Sequence, residues 1–236
     1  SCRPEMLVGR LEPLVRGYEE WIRSLGELNP PEEILKGLRS ALERMKRGLE
    51  LLSQDEDARM AFAFANRALW QQAIWAGRGG LKWRPFQLAF LLSTVESAVR
   101  EDSPERLVCD VLWVPTGGGK TEAYLALVAF VLAYRRRRHL RSRSGLPCGG
   151  GGTAVISRYT LRLLTLQQFR RALRVVTACE YLRVVRDPST GRSGWRPEGA
   201  PDEEFPWGTE RFSAGIWVGG AITPNRVRSS WDGKNT

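Results

Sequence analysis

The run Val114-Pro115-Thr116-Gly117-Gly118-Gly119-Lys120-Thr121 gathers residue types that bind phosphate. Glycines let the backbone curl so that successive N–H groups point at phosphate oxygens. A helix starting at the end of the run adds the positive end of its dipole. Lys120 is placed to reach the outer phosphates of a nucleoside triphosphate, and the Thr121 hydroxyl to hold Mg²⁺. Thr116, Gly117, Gly118 and Gly119 supply the backbone cradle, while Lys120 and Thr121 carry the catalytic roles. The strict form of this pattern has a glycine where Val114 stands, so the loop is a variant.

Three other stretches carry groups that suit polyanions or bases. Ser157-Arg158-Tyr159-Thr160-Leu161-Arg162 leads through Leu163 and Leu164 to Gln167 and Gln168, between an apolar run and a helix. Such a turn offers backbone N–H groups, a hydroxyl and arginines to the phosphates of a strand, with Thr160 and Arg162 as the contacts. The plainer reading is an amphipathic helix with a solvated arginine face. Gly219-Gly220-Ala221-Ile222-Thr223-Pro224-Asn225-Arg226 follows another apolar run, and makes Thr223 and Arg226 either strand contacts or an ordinary loop. Arg135-Arg136-Arg137-Arg138-His139-Leu140-Arg141-Ser142-Arg143 is the densest charge run. It is read chiefly as a solvated helix end whose cations complement the C-terminal dipole.

These residues need elements to position them. Residues 1–80 read as a helical extension. Pro30-Pro31-Glu32-Glu33 starts a helix, and Ile34, Leu35, Leu38, Leu42, Met45 and Leu49 keep the helical period. Asp55 or Asp57 caps the next helix, which the glycines at 77, 79 and 80 end. Residues 81–236 read as an α/β domain with a parallel sheet. Apolar strands 107–114, 153–158 and 214–218 alternate with helices 86–101, 120–137 and 161–179. Residues 187–211, rich in Pro, Gly and charge, read as a surface loop.

Composition bounds the rest. The 236 residues suffice for one or two domains. Net charge is +10, and only five of the 36 basic residues are lysines, so the cationic surface is mainly arginine. That balance suits bidentate contact with a polyanionic partner. Four cysteines without a C-x-x-C pair, and His139 alone, build no ordinary zinc site. Cys109 is expected inside a buried strand. The apolar run Ala123–Tyr134 falls short of the roughly 20 residues needed to cross a bilayer, and no secretory signal opens the chain. The expectation is a reduced, cytoplasmic protein with no membrane partner.

Taken together, Phe64-Ala65-Asn66-Arg67-Ala68, Arg84-Pro85-Phe86-Gln87, the Pro-Thr-Gly-Gly-Gly-Lys-Thr loop and Arg158-Tyr159-Thr160-Leu161-Arg162 resemble the superfamily 2 helicases. Within that superfamily they resemble the helicases of the DISARM antiphage system, over roughly residues 60–228. The resemblance implies a RecA-like P-loop lobe, ATP and Mg²⁺ as cofactors, and DNA, single-stranded or duplex, as partner. It further implies other defence-system subunits as partners. It assigns Gln87 to the adenine edge, with Phe86 and Arg84 framing the base, and Thr160, Arg162, Thr223 and Arg226 to nucleic acid. The acidic motif and second lobe of a complete helicase are not recognisable. Asp202-Glu203-Glu204 follows a Pro-Gly segment rather than an apolar strand. The chain therefore reads as an N-terminal fragment with an incomplete lobe that binds ATP but scarcely hydrolyses it. A truncated module that binds nucleic acid or a partner without hydrolysis, and an unrelated P-loop NTPase, are the alternatives.

Overall fold

The computed structural model describes residues 2–115, 117–141, 150–159, 162–187 and 191–217, with the backbone alone at 162–165. Its elements are helices α1 (Pro4–Gly26), α2 (Glu32–Gln54), α3 (Glu56–Trp75), α4 (Pro85–Val99), α5 (Lys120–Arg141) and α6 (Arg162–Val184). A short 3₁₀ turn, Pro104–Leu107, follows α4.

Local chemistry sets the helix ends. Pro31 precedes α2 with an extended backbone, and Glu32 and Glu33 occupy its first turn, where acids complement the dipole. Asp55 caps α3: its Oδ1 accepts from the Ala58 amide at 2.9 Å. Asp57, the other candidate, is drawn into an ion pair with α5 instead.

Packing joins the first three helices to the rest. On α3, Ala58, Ala61, Ala65 and Ala68 are buried. They meet α5, where Ala126, Ala129 and Ala133 are also buried, and small side chains let the two axes come close. Gly48 on α2 permits a similar approach to α4. A Cβ there would lie 1.9 Å from the Leu92 carbonyl oxygen, which no side chain could tolerate. One continuous core runs through these contacts and across residue 80.

The expected parallel sheet is not formed. Among the described residues there are no strands. The sole β feature is an isolated antiparallel bridge between Arg186 and Ser193. The runs anticipated at 107–114, 153–158 and 214–218 have no ladder with one another, and position 218 lies outside the described residues. Their apolar side chains face solvent: Val111 is 79% exposed, Trp113 93%, Ile156 86% and Trp217 79%. β-branched, aromatic sequence fits a strand only when neighbours exist to complete the ladder and cover a face. Here the segment before the glycine loop is held by charge. Arg44 of α2, buried, forks onto Asp110 at 2.5 and 2.7 Å, and Glu105 takes Arg47 at 2.6 Å. Cys109 is accordingly exposed rather than buried. The RecA-like α/β expectation is thus replaced by a helical assembly with extended connections.

The surface loop expected at 187–211, with 187 and 191–211 among the described residues, is less superficial there than its composition suggests. Trp207 is completely buried, 4.2 Å from Phe64 between ring centroids, and its indole N–H donates to the Trp195 carbonyl at 2.6 Å. Trp207, with Trp195 packed beside the same core, anchors an otherwise polar connection.

Candidate nucleotide and polyanion site

The glycine loop enters α5 directly. Gly117 and Gly119 have φ of +79° and +94°, a left-handed backbone that side-chain-bearing residues avoid. Gly118 has no room for a side chain either. A Cβ would stand 2.6 Å from Val114 Cγ1 and 2.9 Å from the Pro115 carbonyl oxygen. The Gly118 amide donates to that same carbonyl at 3.0 Å, which closes the turn. Lys120 is the first residue of α5, and its ammonium donates to the carbonyls of Val114 and Pro115.

The start of α4 braces this loop from the other side. Gln87, 3% exposed, uses both ends of its amide. Its Oε1 accepts from the Arg84 amide at 2.8 Å, and its Nε2 donates to the Gly119 carbonyl at 2.8 Å. Arg84 donates to the neighbouring Gly118 carbonyl at 2.9 Å. Two residues of the Arg-Pro-Phe-Gln stretch therefore grip two consecutive loop carbonyls. The spacing in sequence brought Gln87 to the loop; it did not reveal that the amide would be engaged at both ends there.

Thr121 looks toward α6. Its hydroxyl oxygen accepts from Arg171 Nη1 at 2.9 Å and lies 3.1 Å from the Tyr124 hydroxyl. The second arm of Arg171 donates to Glu122 at 2.7 Å. Tyr159 packs in the same neighbourhood, where burial pushes its pKa up to about 12, with the Tyr124 hydroxyl bond and charge acting in the same direction. So the start of the 157–168 stretch meets the start of α5.

Beyond Arg171 opens a cleft of about 690 Å³ between α3, α5 and α6. Arg78, Arg170, Arg171 and Arg174 line it, with Glu122 as the lone carboxylate among its lining residues. Arg78 reaches Glu122 at 4.0 Å. Arg170 and Arg174 are exposed, and make no hydrogen bond or ion pair among the described residues. Sequence reading passed over these arginines, because their grouping needs Arg78 from beyond α3 and the i, i+1, i+4 spacing on α6 to be seen together.

Thr116, Thr160, Thr223 and Arg226 lie outside the described residues, and Arg162 opens α6 with its side chain outside them. The arginine run at the end of α5 is solvated only in part: Arg138 and Arg141 are exposed, while two of its members turn inward. Arg136 and Arg137 are 5% and 0% exposed. Arg137 donates to Asp57 at 2.9 Å and to Glu203 Oε1 at 3.0 Å, and Arg141 donates to Glu56 at 2.6 Å. Burial alone would lower the Arg137 pKa, but its carboxylate partners outweigh it and hold the group above its usual value. Burial raises the Asp57 pKa, and the guanidiniums of Arg137 and Arg141 counter it. Arg136 donates to the Arg211 carbonyl at 3.1 Å and covers the Phe212 ring at 5.1 Å. Glu203, from the acidic triplet, is thereby a structural counter-ion.

No protein-family model matches the chain. It is 36% identical, over 242 aligned positions and 93% of its length, to the DISARM protein DrmA of Bacillus paralicheniformis (strain ATCC 9945a / NCIMB 11709 / CD-2). The chain resembles DrmA over nearly all of its length. It spans 20% of that relative. The glycine loop, the α4 brace and the α6 arginines fall within a chain aligned to DrmA almost throughout. Among the described residues no helix is long and apolar enough to cross a membrane.

Proposed function

We propose that this chain is the ATP-binding part of a DNA helicase or translocase that acts in bacterial antiphage defence, in the cytoplasm and with other subunits of its defence system. The observation that carries the reading is the glycine loop, with left-handed Gly117 and Gly119 leading to Lys120 at the start of α5. Similarity to the DISARM protein DrmA supports the defence role.

The residues present suit a nucleotide and its cation. Lys120 exchanges the carbonyls of Val114 and Pro115 for phosphate oxygens, with little movement of its anchor. Thr121 offers a hydroxyl oxygen to Mg²⁺, which neutralises phosphate charge when bound. Arg171 now donates to that oxygen, so cation binding requires its guanidinium to leave Thr121 while Glu122 keeps it nearby. Gln87 and Arg84 hold the carbonyls of Gly119 and Gly118 and so fix the shape of the loop. Gln87 keeps one N–H and one lone pair beyond its two present bonds, and reading adenine as well requires its buried amide to become accessible.

Calorimetric titration of ATP and adenosine tests this reading. Lys120→Ala removes a charge-assisted contact and should weaken ATP roughly ten- to hundredfold while leaving adenosine nearly unchanged. Equal losses would take Lys120 out of the phosphate site. A binding module without hydrolysis is the second reading, favoured by a Lys120 ammonium already satisfied within its own loop. Strand binding in a chain that takes up no ATP would select it.

A further inference from the structure

The surface that flanks the arginine cleft carries an aromatic pair that the nucleotide site does not use. Trp75, at the end of α3, and Tyr181, on α6, meet edge to face with ring centroids 5.4 Å apart. They are 49% and 40% exposed, well above what two large aromatic residues normally leave to water. Trp75 directly precedes Ala76, which lines the cleft, and Tyr181 lies two helical turns beyond Arg174 on the same side of α6. Arg170 and Arg174 stand one turn apart, so their guanidiniums are offset by about 6 Å along the helix. Cations repeated at that interval, next to exposed ring faces, match a ligand with regularly repeated phosphates and flat, unpaired bases.

We propose that α3 and α6 form a track for single-stranded nucleic acid, in which Arg170 and Arg174 take backbone phosphates and the Trp75–Tyr181 pair stacks on a base. The track rests on the nucleic-acid half of the function above, and names a place for the strand apart from the turn at 157–162. Three observations favour a strand over a nucleotide as occupant. Two arginines lack counter-ions, the cleft is lined by four guanidiniums against one carboxylate, and the exposed aromatic pair includes Trp75, next in sequence to the lining residue Ala76. A duplex hides its base faces and would leave the pair unused. Arg171 ties the track to the phosphate loop, because the same side chain lines the cleft and holds the Thr121 hydroxyl.

Anisotropy titrations of the whole chain test the track. The probes are a fluorescent oligothymidylate and an abasic deoxyribose-phosphate strand of equal length, each over a range of salt. Arg170→Ala with Arg174→Ala should flatten the dependence of log affinity on log salt by about 1.4, two contacts at about 0.7 each. Arg16→Ala with Arg23→Ala removes the same charge from exposed positions on α1 and should leave the slope unchanged. Trp75→Leu keeps apolar cover but removes the ring. It should weaken oligothymidylate roughly five- to hundredfold and the abasic strand hardly at all, and Trp75→Phe should restore most of the loss. Thermal melts verify that each variant is folded.

An unchanged slope in the α6 double variant, or an equal change in the α1 control, overturns the track while leaving strand binding in place. So does a Trp75→Leu loss that is the same on both probes. A tenfold loss of ATP affinity in the α6 double variant, without loss of strand affinity, reassigns the cleft to the nucleotide. If the folded wild-type chain binds neither probe at low salt, the track and the nucleic-acid reading fall together.

Discussion

Arg136 and Arg137 of α5 and Arg170 and Arg174 of α6 share a residue type and meet opposite surroundings. Arg137 on α5 has a side chain 1% exposed, held by Asp57 and Glu203 from distant parts of the chain. Arg170 and Arg174 on α6 reach into an open cleft with no partner among the described residues. Spacing on the helix decides which fate follows. Four consecutive arginines at 135–138 span the whole circumference at about 100° per residue, so some must point into the core and need counter-ions there. Positions 170 and 174, four apart, stay on one side and can both face a ligand. A dense charge run in a sequence is therefore weaker evidence for a binding patch than a sparse set at helical spacing.

That contrast is sharpest at Arg137. Arg137→Ala leaves buried Asp57 with Arg141 alone and takes the close guanidinium from Glu203, and should cost about 3–5 kcal/mol in urea unfolding. Pairing it with Asp57→Asn should cost much less than the two losses summed, because the second change removes the stranded charge. A loss below about 1 kcal/mol for Arg137→Ala would place it among ordinary surface arginines and erase the contrast.

Gln87→Ala comes next. It leaves the Arg84 amide and the Gly119 carbonyl without their partner, so roughly 1–3 kcal/mol of stability should be lost. Because the amide acts through the loop, ATP and GTP should weaken alike. A loss confined to ATP would put Gln87 on the adenine ring instead. At the small end stands Arg170→Ala with Arg174→Ala, whose unfolding free energy should stay within about 0.5 kcal/mol of wild type, since no contact is broken. A larger loss would show that α6 arginines also hold the fold.

The local signals in the sequence were legible and the distant ones were not. Proline and acids at 30–33 mark the start of α2, Asp55 is the one of the two cap candidates, Asp55 and Asp57, that caps α3, and the glycine loop sits at the start of α5 as its spacing implies. Each depends on residues within a few positions. The apolar runs near 107–114, 153–158 and 214–217 carried strand-like composition, yet a ladder depends on a partner that no local pattern specifies, and they remain extended and exposed. Arg137 was misjudged for the same reason: its counter-ions lie 80 and 66 residues away. So was the polar segment around Trp207, whose anchor is Phe64. The α4 brace on the glycine loop was half visible, as a spacing without its geometry.

The division between the two arginine groups is tested most directly by one comparison of salt dependence. The Arg135→Ala, Arg141→Ala double variant and the Arg170→Ala, Arg174→Ala double variant remove equal charge, one from the end of α5 and the other from the middle of α6. Arg135 donates to the carbonyls of Gly151 and Thr153, so its role is to hold the connection after α5. In oligothymidylate titrations from low to moderate salt, the α6 variant should show the slope flattened by about 1.4, and the α5 variant a slope indistinguishable from wild type. An α5 variant that flattens the slope as much as the α6 variant would contradict the division and make the arginine surface a generic polyanion patch.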